Sequence, residues 1–324
     1  MSLTCPICQS GAQVLLPHEA KDYISGKLFA LKQCSFCGCV TTAGTASAAF
    51  DESYGDAYYN SPKGKFSLFF EKIFRWNHKK NAKQLNDSLH PQRVLEIGCG
   101  RAYLLEELKI LGVEVFALES SSAAEWIFDN DAVAIVKIPE ESSEWPFRSS
   151  SFQLVIYWHV LEHLADPAAS LQQAGKVLAK EGILCVSVPN ISSYQAKVKL
   201  WTWFHLDVPR HLFHFSKNGI IQLLEQNGFE IINVQSGDFI QNLFGWFQSL
   251  ANLFTPQDIN GLYRFLQGGK PFQKASKKTV IIQLMTIVFW LPVGVIGYLV
   301  ETISGNHGTI TIYAKKRGKE ELGD

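Results

Sequence analysis

The sequence predicts an α/β fold with a parallel sheet, and three stretches carry that prediction. Residues 94–100 form a short apolar run that ends in the two-glycine turn Gly98-Cys99-Gly100 and leads into the helical pattern of residues 103–108. Residues 113–118 are a second apolar run, and it ends on Glu119. Residues 153–157 are another, delivering Trp158 and His159 at its end. Strand, tight glycine turn and helix is how a parallel sheet presents backbone amides to a ligand at a helix N-terminus. An ordinary strand-to-helix connection has the same look, so Glu119 matters. A carboxylate about 20 residues past the glycines, at the tip of the next strand, can accept hydrogen bonds from both hydroxyls of a ribose. The ligand so read is a nucleoside. A dinucleotide is disfavoured, because the third position of G-x-G-x-x-G is Tyr103, where close helix–strand packing asks for Gly or Ala.

Residues 94–100, Glu119 and residues 152–167 stand in the order and spacing of three known motifs. They resemble the first, second and fourth motifs of the class I S-adenosylmethionine-dependent methyltransferases, over roughly residues 90–240 and again near 308. The resemblance implies a Rossmann-like sheet of seven strands, S-adenosyl-L-methionine as cofactor and methyl transfer as the reaction. It implies that the backbone at Gly98, Cys99 and Gly100 meets the methionine part and that Glu96 orients its amino group. Glu119 takes the ribose, with Ser120 next to it, and Trp158 and His159 stand beside the cofactor. Two departures matter. The acidic residue that the family places after its third strand, against adenine, has no clear counterpart in the run Lys137 to Glu141, and Gln153 stands where Asp is usual. These keep open a non-catalytic protein that binds a nucleoside, or a partner-binding protein, on a degenerate fold of this type.

Composition fits one large domain plus a small module. The chain has 324 residues, 47% of them hydrophobic, and 30 basic against 30 acidic side chains. Zero net charge gives no electrostatic case for nucleic-acid binding. The N-terminus shows no signal-peptide pattern, and cysteines in C-x-x-C pairs suit a reducing compartment, so the expected location is cytoplasmic or peripheral on the inner membrane face.

In chain order, residues 1–45 read as a zinc ribbon. Cys5 and Cys8 form one pair and Cys34 and Cys37 the other, and two such pairs can meet one tetrahedral Zn²⁺. A closed four-thiolate site folds its module and does not catalyse. Cys39 is one thiol too many and reads as a bystander. A redox dithiol is the alternative, but no βαβ pattern surrounds either pair. Some bacterial members of the resembled family carry a similar ribbon.

Residues 46–92 read as a linker and a covering helix. The stretch containing Tyr54, Tyr58 and Tyr59 is either a segment folding over the site or a plain surface connection. Phe66, Phe69, Phe70, Ile73 and Phe74 recur at helical spacing over 65–89.

Residues 93–238 are the Rossmann-like core, with further strands expected at 132–136, 183–188 and 229–234. Trp145-Pro146-Phe147 is either an apolar wall beside adenine or core packing. The string from His159 to His163 matches H-x-x-E-H, a zinc-peptidase pattern. It follows a buried strand and no distal acidic ligand is evident, which argues against that chemistry; Glu162 and His163 holding a divalent cation near the acceptor stays open. Residues 201–216 concentrate Trp201, Trp203, His205, Arg210, His211 and His214 before a helix capped by Ser216. Polar groups gathered among aromatics read as the lining of an acceptor pocket. A hydroxyl acceptor needs a general base, and His163 and His211 are the candidates. The acceptor itself reads as a small molecule, a sugar or a lipid-linked compound.

Residues 239–305 form a hydrophobic helical insertion before the last strand and charged tail of 306–324. Residues 279–300 hold no charge and are long enough to cross a membrane. A strand at 309–314 has to rejoin the sheet, which excludes a single crossing, and Pro292, Gly294 and Gly297 are expected to break a straight span. A hairpin at a membrane surface, with lysines at anionic head groups, a lid and a dimer surface are the readings left.

Overall fold

The computed structural model describes residues 4–44, 68–120, 133–138, 144–266 and 275–317. The tyrosine-rich linker, Phe66, the side chains of Phe69, Phe70 and Ser120, and Glu140 and Glu141 lie outside the described residues. In chain order the elements are β1 (Gln13–Leu15), β2 (Ala20–Lys21), β3 (Leu28–Phe29), β4 (Leu31–Cys34), β5 (Val40–Thr42), α1 (Leu68–Leu89), β6 (Arg93–Ile97), α2 (Tyr103–Ile110), β7 (Glu114–Ser120), β8 (Ala134–Ile138) and β9 (Phe152–Trp158). A 3-10 turn at Leu161–His163 follows, then α3 (Pro167–Val177), β10 (Leu178–Pro189), α4 (Tyr194–Val198), β11 (Phe213–His214), α5 (Lys217–Gln226), β12 (Phe229–Ser236), α6 (Phe239–Phe254), α7 (Gly261–Leu266), α8 (Lys277–Ser304) and β13 (Thr309–Lys316).

The chain divides into two compact units. One comprises Lys72–Ser187, Ile221–Val234 and Thr311–Asp324 and is built on a seven-stranded sheet of order β12-β13-β10-β9-β6-β7-β8. Strands β10, β9, β6, β7 and β8 run parallel. The chain moves outward from β6 to β8 and then returns to β9 on the other side of β6. That reversal makes a topological switch point, the place where open sheets of this kind bind ligands. The expected seventh strand is there, between β12 and β10.

Strand β6 is central because it is apolar on both faces: Val94, Leu95 and Ile97 are all buried, as a strand covered on two sides requires. Glu96 breaks that run. Helix α1 follows the expected helical spacing, and its Ala82 and Leu85 pack with Leu104, Leu105 and Leu108 of α2 and with Val94. Arg75 of α1 stacks over Tyr103 and pairs with Glu106 at 3.0 Å. Helix α3 starts where Asp166 accepts the Ala169 N–H at 2.9 Å, a cap worth about 1 kcal/mol.

The third strand is Ala134–Ile138, shifted from the expected 132–136. Pairing decides this: Phe116 to Ser120 of β7 offer ladder partners to 134–138, so β8 follows the C-terminal part of its neighbour and ends where it ends. Gln153 is not a lost contact either. Its side-chain oxygen accepts the Arg93 N–H at 2.9 Å and ties β9 to the start of β6.

The other unit comprises Met1–Glu71, Val188–Ile220 and Gln235–Ile310. Its four-stranded sheet has the order β1-β4-β5-β11, so the ribbon hairpin is extended by a strand from the 201–216 stretch. Ala20, Leu31 and Val40 of the ribbon pack with Trp203, Leu206 and Val208 in one apolar cluster. Helices α6, α7 and α8 belong to the same unit. Helix α8 runs unbroken through Pro292, Gly294 and Gly297, against expectation. A proline removes one backbone hydrogen bond and bends the helix locally; the turns on either side hold the helix together across it.

Candidate cofactor site

The turn after β6 is built by two glycines with different tasks. Gly98 has φ +64, and a Cβ there would come within 2.7 Å of Val160, so both conformation and space demand glycine. Gly100 has φ +52 and nothing within 4 Å of where a Cβ would stand, so the turn keeps an open side. Its N–H donates to Glu119 Oε2 at 3.1 Å, which fixes the carboxylate at the end of β7. Val160 has no signature that sequence reading could use; it is identified only by its approach to Gly98.

Glu96 lies opposite Ala117 and Ile156 in the middle of the sheet and is buried, and its Oε2 has no hydrogen-bond partner among the described residues. Burial, reinforced by the negative charge of Glu119, pushes its carboxyl up to about 8. An orphaned acceptor beside a second carboxylate is a costly arrangement unless a cation joins it. The ammonium of S-adenosyl-L-methionine matches what Glu96 lacks, a positive donor, and the ribose hydroxyls are donors that a carboxylate such as Glu119 can accept. The chain therefore fits this cofactor. Cys99 is buried, and burial followed by the two carboxylates raises its thiol well above the usual value, so it supplies backbone and packing and no nucleophile.

At the end of β9, Trp158 packs against the core of the same unit. His159 adopts φ +56, donates its backbone N–H to Ser187 O at 2.9 Å, and points a buried, unpartnered Nε2. Its Nδ1 stands 3.6 Å from the buried Glu162. Non-glycine residues with positive φ are uncommon and gather at functional positions. His163, half-buried, ends the 3-10 turn. Phe147 makes edge contacts with Phe116 and Phe152, so that part of the Trp-Pro-Phe stretch is core packing.

In the other unit Cys5, Cys8, Cys34 and Cys37 are all buried, with sulfurs within 4.8 Å of one another. Cys5 and Cys37 are 3.8 Å apart and Cys8 and Cys34 are 3.6 Å apart. Four sulfurs at the usual Zn–S distance of about 2.3 Å lie about 3.8 Å apart in a tetrahedron, so the set fits Zn²⁺. N–H groups of Ile7 and Phe36 reach Cys5 and Cys34 at 3.4 Å each, the backbone support that thiolates need. Cys39 belongs elsewhere: its sulfur accepts the Ser216 N–H at the start of α5.

Within 201–216, Trp203, His205, Arg210, His211 and His214 are buried and Trp201 is half-buried. Arg210 is 1% exposed and ion-paired to Asp22 at 3.0 Å and to Asp207. His214 Nε2 meets Thr42 Oγ1 at 3.1 Å. His211 Nδ1 faces the His205 carbonyl at 2.9 Å. A carbonyl only accepts, so Nδ1 carries a proton, and in the neutral ring the lone pair is at Nε2. Sequence reasoning missed Glu301, a fully buried carboxylate held by Gln195 N at 3.0 Å and Trp246 Nε1 at 2.9 Å. Its only signal is its place as the first charge after the long apolar run.

A two-glycine turn at the switch point, with a carboxylate near the end of β7, is the arrangement expected of a class I S-adenosylmethionine-dependent methyltransferase. The sequence profile of the family described as "Methyltransferase domain" matches residues 69–234, more than half of the chain. The chain belongs to that family. A probable S-adenosylmethionine-dependent methyltransferase of Mycobacterium tuberculosis is 30% identical over 105 residues, 30% of this chain and 35% of that protein. A ubiquinone biosynthesis O-methyltransferase of Caulobacter sp. (strain K31) is 30% identical over 109 residues, 30% of this chain and 41% of that protein. The chain thus spans well under half the length of these relatives. Among solved structures, the complex between the Haloferax volcanii Trm112 methyltransferase activator and a putative methyltransferase contains a similar chain. It has 15% identity and a TM-score of 0.49, covering 83% of this chain and 98% of that one.

Proposed function

We propose that this chain transfers a methyl group from S-adenosyl-L-methionine to a hydroxyl, or an amine, of a small-molecule acceptor, with sugars and lipid-linked compounds as the acceptor classes. The observation that carries the reading is Glu96, a buried carboxylate with an orphaned oxygen in the central strand, set beside Glu119 at the glycine turn. When bound, the cofactor supplies a methyl group already activated on a sulfonium. The protein's task is alignment and exclusion of water, which is catalysis by proximity and orientation. Gly98, Cys99 and Gly100 bind through backbone, Glu96 takes the ammonium, and Glu119 orients the ribose, with Ser120, Trp158 and His159 flanking the cofactor. His163 and His211 are the proposed general bases for a hydroxyl acceptor. His211 is supported by its tautomer, which leaves the lone pair at Nε2. The O-methyl transfer named for the Caulobacter relative favours oxygen as the attacking atom.

The same reading gives the chain a structural Zn²⁺ on Cys5, Cys8, Cys34 and Cys37 and a cytoplasmic location, which suits seven cysteines none of which is in a disulfide. Radiolabel transfer tests the activity. Protein and methyl-labelled cofactor are incubated with extracts of cells lacking the gene, and the products are divided into lipid, small-molecule and polymer fractions. Label in the lipid or small-molecule fraction that falls in the His211→Ala or His163→Ala variant supports the assignment. Calorimetric cofactor binding with no label in any fraction overturns it.

A further inference from the structure

Helices α6 and α8 pack against each other with their polarity reversed from that of a water-exposed pair. Buried polar residues lie between them, beside Trp246 and Leu250. Gln248, Asn252 and Gln283 are each 0% exposed. Gln248 Nε2 donates to Gln283 Oε1 at 3.1 Å, and Gln283 Nε2 donates to Asn252 Oδ1 at 3.2 Å and Thr255 Oγ1 at 2.7 Å. The Gln283 oxygen also accepts the Leu262 N–H at the start of α7. Nearer the C-terminal end of α8, Trp246 of α6 reaches the buried Glu301, and Gly294 and Gly297 let Phe247 and Trp246 approach the α8 backbone.

The outward face is apolar instead. Along α8, Met285 is 68%, Val288 76%, Phe289 83% and Ile303 88% exposed, and only 22% of its most apolar window is buried. Water-exposed proteins rarely leave so long a contiguous apolar face uncovered. Small residues and interhelical hydrogen bonds inside, with large apolar residues outside, is the arrangement that hydrocarbon surroundings favour. In water the same sequence loses free energy on both counts, because burying apolar side chains is the larger gain there.

The charges identify the surroundings further. No acidic or basic residue occurs in 279–300, while Lys277 and Lys278 at the start of α8 are exposed and, among the described residues, in no ion pair. Lys270 and Lys274 precede them in sequence, outside the described residues. A cluster of lysines at the edge of an apolar face complements anionic lipid head groups. Both ends of α8 are fastened within its own unit: Thr279 Oγ1 to Asp258 at 2.6 Å at one end, Glu301 to Gln195 at the other. A crossing helix would carry one end away from that unit, whereas here both ends are tied to it.

We propose that α6, α7 and α8 form a membrane-seated hairpin. The outer face of α8 lies in the acyl layer parallel to the bilayer, and the lysines at its start contact anionic head groups. The proposal goes beyond methyl transfer and does not depend on it.

Flotation of the full chain with vesicles tests this. Vesicles of phosphatidylcholine with phosphatidylglycerol are compared with phosphatidylcholine alone. The protein is expected to float with the anionic vesicles, and less well with the neutral ones. Phe289→Glu and Val288→Glu are expected to lower partitioning by about tenfold or more each, because each removes an apolar side chain from lipid and adds a charge. Neither side chain has a packed position to lose, so thermal stability should be unchanged. As a check free of any variant, brominated lipids should quench the wild-type tryptophan emission, and Trp290→Phe should reduce the quenched fraction. Wild-type protein that stays with the unbound fraction for both vesicle types overturns the proposal. So does a two-copy mass in solution that Phe289→Glu converts to one copy without vesicle binding, which would assign the face to a second copy of this chain.

Discussion

The Gly100 amide and the Glu119 carboxylate are hydrogen-bonded across 3.1 Å, joining the turn after one strand to the tip of the next. One side-chain oxygen is thereby held in place, which orients the carboxylate for the proposed ribose role. An anchored acceptor costs little entropy when the ligand arrives, which is what preorganisation means here. In the proposed ribose role Glu119 would accept two charge-assisted hydrogen bonds, and replacing it would remove them and release the turn. Hydrogen bonds to charged groups contribute about 1.5–3 kcal/mol each. Glu119→Ala is therefore expected to weaken cofactor binding about a hundredfold or more, beyond calorimetric detection, with the fold intact by circular dichroism. Affinity within a few-fold of wild type would remove Glu119 from the ribose role.

Glu96 gives a pH prediction with a definite sign. Its folded-state pKa is raised, by burial first and the Glu119 charge second, to about 8. The group is therefore more protonated folded than unfolded, and stability of the cofactor-free protein falls as pH rises from the ordinary carboxylate range toward about 8. Glu96→Gln keeps the neutral form permanently. It should be as stable as wild type near pH 5 and more stable near pH 8, measured by thermal melting without cofactor. Binding of the cofactor's ammonium should ionise Glu96 at neutral pH, so calorimetry in buffers of different ionisation enthalpy should show proton release. A pH-independent difference between the two proteins would mean that Glu96 is not the group being titrated.

Much of this site was legible in the sequence because each part lies within a few residues of chain. The glycine turn, Glu119 and the cysteine pairs each need only local spacing. What was not legible depends on partners far apart in sequence. The shift of β8 came from its ladder with β7, and the role of Gln153 came from Arg93, sixty positions away. The ion pair of Arg210 was not legible because its partner Asp22 stands 188 residues earlier. The apolar run of 279–300 announced a helix of unusual surroundings, yet only the burial of Gln283 on its inner side showed which face turns outward.

The ribbon makes a prediction that separates ligand from bystander. Elemental analysis of protein expressed with zinc should find one equivalent. Cys8→Ser or Cys34→Ser should lose the metal and lower the melting temperature, because structural zinc contributes folding free energy directly. Cys39→Ser should keep the metal, since its sulfur faces Ser216 and α5. Loss of zinc in Cys39→Ser, with retention in Cys8→Ser, would reassign the ligand set.

Arg210 distinguishes a structural from an acceptor-binding reading of the 201–216 stretch. The guanidinium is almost fully buried between Asp22 and Asp207 and lies over the Tyr23 ring. Burial alone would raise the pKa of Asp22, but Arg210, with Ser25 and the amides of Ile24 and Ser25, holds it below the usual value. Removing the cation leaves two carboxylates without their charge partner, and breaking a buried pair from one side typically costs about 3–5 kcal/mol. Arg210→Met should therefore lower the denaturation midpoint strongly. Adding Asp22→Asn should recover part of the loss, because the stranded charge is then gone; the two substitutions are coupled and will not add. An acceptor-binding arginine behaves differently: Arg210→Met would leave the denaturation midpoint nearly unchanged and raise KM for the acceptor, with no recovery from Asp22→Asn. The packing of Ala20, Leu31 and Val40 against Trp203 and Val208 makes the first outcome the expected one, since the ion pair bridges the same two segments that this cluster joins.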